Sequence, residues 1–429
     1  MEHRIRDQYL DQVCKQIKAK DMHDEIRDEL LSHWDELVQD ALEDGCPDEN
    51  VDALVHRQMG DPEEVGRGFN QVHCPKMNWG LIVSVGILVV IGIVISIFSS
   101  LSLDHINLIV PKLVYSALGI AIMFAFIFMD YRIFKKYSWV WFVLPFIIHM
   151  IVYPWTIIIN GARNYLPIGP FSINVFSCYT VLFLIGISGI IQRTSTSVWK
   201  YRMKLLTISM LPFLLFIISN ERALYLMYAV ALFAILWGCL RSKWYFYIVS
   251  GLHVLFGLIF LFLSPNHYVI SRILGFFSND EDYHFIVERS REAIMSGGWW
   301  GRGLQAASQS YPYIYSDYAL SYLFDSLGWI IGALCLTLIA YVIVQFACMS
   351  KQVKDSYGKT IMIAFAALIG FQYIYNILMV FGFVPQSGIS SPIISYGGTY
   401  SILTLAIIGM MLSIYRRKDM LPRQSSIKE

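Results

Sequence analysis

The chain has 429 residues, of which 56% are hydrophobic and 15% charged; with a mean hydropathy of +0.52, this excludes a water-soluble globular body. The formal charge is only +1, yet residues 1–76 hold 19 of the 32 acids and 9 of the 33 Lys and Arg, leaving 13 acids against 24 bases in the rest. That split predicts an acidic soluble segment over 1–75, a membrane body over 76–418 with basic loops, and a tail over 419–429, with no nucleic-acid partner.

The opening MEHRIRDQYLDQ lacks the apolar core of a secretory signal, so insertion is expected to rest on internal spans. Residues 4–70 read as three or four short helices, because Ile5, Tyr9, Val13 and Ile17 recur every four residues and Ile26, Leu30, Leu37 and Ala41 share another face. Gly45-Cys46-Pro47-Asp48 interrupts them, and Asp48 is placed to cap the next helix. So small a helical core is marginal alone. It reads equally as a folding appendage and as a regulatory or partner-binding prefix, and it resembles the helical prefix domains ahead of some Gram-positive membrane proteins. The seven cysteines (Cys14, Cys46, Cys74, Cys178, Cys239, Cys335, Cys348) form no CxxC pair and are expected to be reduced packing residues.

From Asn78 onward, apolar runs of roughly 20 residues, enough to cross a ~30 Å hydrocarbon layer, alternate with short polar gaps. The spans are expected at 79–101, 107–129, 138–159, 171–191, 204–219, 223–240, 244–264, 319–349, 360–382 and 398–415, an all-α body of about ten helices. Bases collect in alternate gaps: Arg132, Lys135 and Lys136; Arg193, Lys200, Arg202 and Lys204; Arg241 and Lys243; Lys351, Lys354 and Lys359; then Arg416, Arg417 and Lys418. The positive-inside rule puts both termini in the cytoplasm and the connections 161–172, 265–317 and 384–397 outside.

The 265–317 connection is too long for a turn. It holds the acidic run Asp280-Glu281-Asp282, a helix expected at 283–295, the glycines Gly297, Gly298, Gly301 and Gly303, and aromatics (Trp299, Trp300, Tyr311, Tyr313, Tyr315) suited to a membrane interface. Ser316 or Asp317 reads as an N-cap for the helix that follows. Asp325 is harder to explain, since an ionisable group inside an apolar span needs a cavity or a partner; eight residues from Asp317, it is expected on the same helical face. His149 and His253, each alone in a span, read as packing residues. In VPQSGISSPIISYGG, residues 384–398, two prolines and three glycines break any helix, and such backbone persists where it lines a cavity or is buried in protein. GARNYLPIGPFS, residues 161–172, places Arg163 on the same side.

At these connections the chain resembles the SEDS family of shape, elongation, division and sporulation proteins, the RodA, FtsW and SpoVE type. The matching stretches, in order, are AIMSGGWWGRGL at 293–304, YPYIYSDYALSYLFDSLG at 311–328, FQYIYN at 371–376 and GFVPQSGISSPIISYGGTYSIL at 382–403. The family's LPEAHTDF…GEELG run is represented by Pro312, Ser316, Asp317, Asp325, Leu327 and Gly328, with Tyr315 in place of its histidine. The resemblance implies a ten-span fold that polymerises lipid II at the outer face of a bacterial cell membrane, Gram-positive if the prefix is a guide, with a class B penicillin-binding transpeptidase as partner. It assigns the catalytic carboxylate to Asp317 and binding or supporting roles to Arg163, Arg302, Asp325, Gln372, Ser395, Tyr396, Gly397 and Gly398. A divalent cation is suggested for the family, and nothing in this chain fixes one.

The departures matter as much. Asn174 and Ser177 stand where the family has Gln and Glu, Thr180 where it has Lys, and its PDLGT motif is not recognisable around Asn220-Glu221-Arg222. They imply a changed substrate, a lowered activity or a silent scaffold. The leading expectation is a membrane glycosyltransferase, because an acceptor hydroxyl must lose its proton as a lipid pyrophosphate leaves and Arg163, Arg289, Arg291 and Arg302 are placed to stabilise that leaving group. A lipid flippase or transporter is the alternative from another class, as broken spans allow.

Overall fold

The computed structural model describes residues 3–17, 22–45, 47–72, 76–102, 108–159, 161–169, 171–192, 198–240, 243–262, 267–278, 281–305 and 314–419. The chain divides into two compact units, residues 1–77 with 416–429 and residues 78–415.

In the first unit four helices, His3–Gln16, His23–Glu43, Asp48–Gln58 and Pro62–Val72, close around a core of Tyr9, Val13, Ile17, Ile26, Leu30, Trp34, Val51 and Val55. The Tyr9 hydroxyl donates to Met59 O at 3.0 Å, so the one polar atom of that ring is satisfied inside the core. Ile5, expected on the same face as Tyr9 and Val13, is exposed. A strict four-residue step advances about 40° per repeat around a helix of 3.6 residues per turn, so the first member of the series has rotated off the buried stripe. Asp48 is the first helical residue, with Pro47 at the cap position.

The second unit holds ten helices, among the described residues, long and apolar enough to cross a membrane: Trp79–Ser102, Ile109–Phe128, Ser138–Trp155, Val175–Gln192, Trp199–Ile218, Arg222–Cys239, Lys243–Phe262, Ala319–Gln352, Ser356–Val380 and Gly398–Arg416, spans one to ten. Span four is 78% buried whereas spans two, three and seven are 22% buried, so span four runs through the protein and the others face lipid on most of their surface.

Two features differ from the sequence reading. The expected third and fourth spans overran a three-stranded antiparallel sheet of order β1-β2-β3, with β1 Ile157–Ile159, β2 Ala162–Ile168 and β3 Phe171–Asn174. Three consecutive β-branched isoleucines next to glycine turns favour a strand although their hydropathy reads as membrane helix. The connection before span eight contains the helix Glu281–Ser296 and also His267–Phe277, which was not expected.

Span eight, at 34 residues, would be about 51 Å long as one helix, far beyond a ~30 Å hydrocarbon layer. It is interrupted at Gly328, whose φ of 80° and ψ of 177° belong to a region essentially reserved for glycine. The segment 297–302 fills the break: Trp329 N donates to Gly298 O at 2.8 Å, Ile330 N to Trp299 O at 3.3 Å and Arg302 N to Asp325 O at 2.8 Å. A Cβ on Gly328 would overlap the Gly301 backbone. The two glycines are where two main chains meet.

Candidate active site

Asp317 lies in a turn over residues 314–318. The residue preceding the helix is Tyr318, and no side chain caps it. The cap expected of Ser316 or Asp317 is therefore corrected: the chain turns one residue too late for either side chain to reach the first free N–H groups. Asp317 is also outside the helix, so it shares no helical face with Asp325.

What holds the turn is a row of bonds to its backbone. Tyr396 N donates to Tyr315 O at 2.8 Å, Ser395 Oγ to Ser316 O at 2.7 Å and Asn376 Nδ2 to Asp317 O at 2.9 Å. The Tyr315 and Tyr396 rings meet edge to face with centroids 6.1 Å apart. Three successive carbonyls are thus fixed by span nine and by the glycine-rich connection before span ten, which the sequence brings together only through the fold.

The Asp317 side chain is half-buried. Burial pushes its carboxyl up to about 6, with the Arg272 guanidinium and the Gln386 amide opposing the shift. Such a group is mostly ionised at neutral pH yet basic enough to accept a proton, the property a general base requires. A second carboxylate acts on the same tyrosines as Asp317. Glu221, between spans five and six, is buried and pushed up to about 7 by that burial, while a hydrogen bond from Asn164 of β2 opposes the shift. Tyr165, the next residue of β2, is itself raised chiefly by burial and feels the charge of both carboxylates. Tyr400 in span ten lies within electrostatic reach of the same pair.

Of the other residues singled out in the sequence, Arg302 and Asp325 find each other. Arg302 Nε donates to Asp325 Oδ1 at 2.6 Å and Nη2 to Oδ2 at 2.7 Å, a bidentate pair with Asp325 fully buried. Gln372 donates to Ser390 O at 3.1 Å. Ser395 and Tyr396 hold the Asp317 turn as described. Gly398 faces the Tyr115 ring so closely that a Cβ there would clash, whereas Gly397 has only Tyr400 and Ser390 nearby. Arg163 packs over the Tyr153 ring with 4.6 Å to its centroid, its Nε donating to Thr156 O at 3.1 Å. Arg291 is turned to Phe381 O at 3.1 Å and Arg289 pairs with Glu292 at 2.9 Å. Among rings, His149 packs on Tyr153, Phe176 and Tyr179, and His253 on Tyr225. Cys14, Cys178, Cys239, Cys335 and Cys348 are free thiols; Cys46 and Cys74, with Asp280, Tyr311, Pro312 and Tyr313, lie outside the described residues.

Arg272, Glu221, Asn376 and Lys112 were not picked out by sequence. Only Lys112 carried a signal, a lone base inside an apolar span. Among the described residues no three His, Cys, Asp or Glu side chains converge as metal ligands, and the charge acting on Asp317 is a guanidinium. The described residues supply no cluster of three carboxylate, imidazole or thiol ligands for a divalent cation.

The departures in span four have local explanations. Asn174 Oδ1 accepts Ser177 N at 3.0 Å and so caps the helix, and Thr180 Oγ1 returns to Phe176 O at 2.9 Å. The Asn174 and Thr180 side chains thus serve the start of the helix itself.

The chain is 26% identical over 317 residues to stage V sporulation protein E of Bacillus subtilis, covering 71% of this chain and 86% of that protein. It is 26% identical over 278 residues to the probable peptidoglycan glycosyltransferase FtsW of Halothiobacillus neapolitanus, covering 61% of this chain and 66% of that protein. In fold it is similar to a chain of a peptidoglycan synthase complex described for the structural coordination of polymerization and crosslinking, with a TM-score of 0.64 and 19% identity over 80% of this chain and 98% of that one. The profile of the FtsW/RodA/SpoVE family, described as a cell cycle protein, matches residues 72–420, and the chain belongs to that family.

Proposed function

We propose that this protein is a membrane peptidoglycan glycosyltransferase that polymerises lipid II at the outer face of the cytoplasmic membrane, with both termini in the cytoplasm and a class B penicillin-binding transpeptidase as its partner. The observation that carries the reading is Asp317. It is half-buried, caps no helix, forms no salt bridge among the described residues and has a carboxyl raised to about 6 on a turn fixed by three backbone hydrogen bonds.

In this mechanism the acceptor hydroxyl gives its proton to the Asp317 carboxylate. Its oxygen forms the new bond to the anomeric carbon of the donor sugar, and the bond from that carbon to the lipid pyrophosphate breaks with its electron pair on the leaving group. Arg272, whose charge acts on Asp317, is a cation that can offset part of that developing charge. Arg302 is already committed to Asp325, and Arg163 to Tyr153 and Thr156. Purified protein incubated with lipid II, with and without the cognate transpeptidase, tests the proposal: glycan polymer is expected, and its absence under both conditions overturns it.

A silent scaffold is the second reading, favoured by the uncharged Ser177 and Thr180 of span four, where the resembled family has Glu and Lys. Binding of a transpeptidase without turnover distinguishes it. Translocation of lipid II across vesicles without polymer would identify a flippase.

A further inference from the structure

Span two contains a single charged residue, Lys112, and its side chain is 1% exposed. An ammonium inside a membrane-crossing helix is costly unless it is held. Lys112 Nζ donates to Ile393 O at 2.6 Å and to Ser395 O at 2.7 Å, so its partners are two backbone oxygens of the connection before span ten.

That stretch is strained. Ile393 has a φ of 66°, rare for a β-branched residue, and Ile394 N turns back onto Pro392 O at 2.7 Å. Such a conformation persists only where the surroundings over-determine it. Span nine supplies part of the restraint: Asn376 holds Ile389 O at 2.9 Å, Gln372 holds Ser390 O at 3.1 Å and Tyr373 holds Pro392 O at 3.0 Å. Lys112 adds the anchor from a second helix, at the carbonyls of Ile393 and Ser395. The same Ser395 whose carbonyl Lys112 grips donates its hydroxyl to Ser316 O, and Tyr396 N donates to Tyr315 O. An unbroken line of hydrogen bonds therefore runs from span two to the residue before Asp317.

We infer that Lys112 is a positioning residue for the reaction at Asp317: it clamps the strained turn over 392–396, which in turn sets the place of the 314–318 turn. The kinetic side of this inference rests on the polymerase reading; the structural side does not. Lys112→Met keeps the stem and removes the donors, and Lys112→Arg keeps donors.

In full-length detergent-solubilised protein, Lys112→Met is expected to raise amide exchange at least about tenfold at 394–396 and over 314–318 while spans four and nine keep their protection. The kcat for lipid II polymerisation falls by roughly 10²-fold with KM within about threefold, as a misplacement near 1 Å at the reacting group would cause. Lys112→Arg recovers most of both. Wild-type exchange in the two segments together with wild-type kcat overturns the inference, as does loss of protection spread evenly over the membrane unit, which marks a folding role. Should Lys112→Met not accumulate, Ser395→Ala cuts the next link alone, and unchanged exchange at 314–318 in that variant overturns the clamp. If the wild type makes no polymer, the polymerase reading fails while the exchange measurements still decide the role of Lys112.

Discussion

Asp317 and Asp325 are eight residues apart and sit in opposite chemical situations. Asp325 is fully buried, gripped by both guanidinium arms of Arg302, with its own carbonyl accepting Arg302 N. Its charge is spent on tying the glycine segment 297–302 into the break at Gly328. Asp317 is half-buried on a turn whose carbonyls are held while its carboxylate faces one guanidinium and an amide. The protein fixes the backbone of both acids and locks the side chain of Asp325 in a bidentate ion pair. A catalytic base needs a rigid mount and a carboxylate not locked in a bidentate ion pair, and of the two acids only Asp317 has both.

The comparison is broken most directly by Asp317→Asn, which keeps the shape of the side chain and removes the proton acceptor. Polymerisation is expected to fall by roughly 10²- to 10⁴-fold with normal membrane levels, and wild-type turnover would end the catalytic assignment. Gly328→Ala tests the mount on the other side: a Cβ meets the Gly301 backbone at a φ of 80°, so unfolding stability should drop by about 3 kcal/mol or more, read as loss of monodisperse protein on heating. Asp325→Asn leaves Arg302 with half its partner. Because Arg302 is partly exposed, the cost is expected near the low end for a broken buried pair, about 2–3 kcal/mol, and activity per folded molecule should fall less than in Asp317→Asn.

The pH profile sharpens the same contrast. A base works deprotonated, so with a carboxyl near 6 kcat/KM should rise with pH through that value and stand at about a tenth of its plateau at pH 5. A profile flat from pH 5 to 8 would remove Asp317 from the rate-limiting proton transfer. Smallest of all is Arg289→Ala, which breaks an exposed pair with Glu292; stability should change by less than about 1 kcal/mol and the polymerisation rate by less than about twofold. A larger loss of rate would bring that arginine back as a leaving-group contact.

The residues of the site were only partly legible. Asp317 stood out through motif order, and Ser395 and Tyr396 through a connection too rich in Pro and Gly to be helix. Arg272 was not, because it lies in a helix that neither hydropathy nor caps announced. Glu221 was passed over because its environment is built by β2, and a β-branched run beside a membrane span is hard to tell from the span itself.

Sequence alone determined the membrane class, the approximate ten spans and the family resemblance, since a ~30 Å apolar layer demands long uninterrupted hydrophobic runs that survive in any arrangement. It read 319–349 as one continuous span, and the break at Gly328 came only from the structure. Which acid is paired and which is poised was decided by the tertiary structure. Arg302 reaches Asp325 across 23 residues, and Asn376, Ser395 and Tyr396 reach the Asp317 turn across 59, 79 and 81. Hydrogen bonds of that separation depend on how the spans pack, and hydropathy carries no information about which polar atom a buried carboxylate will meet.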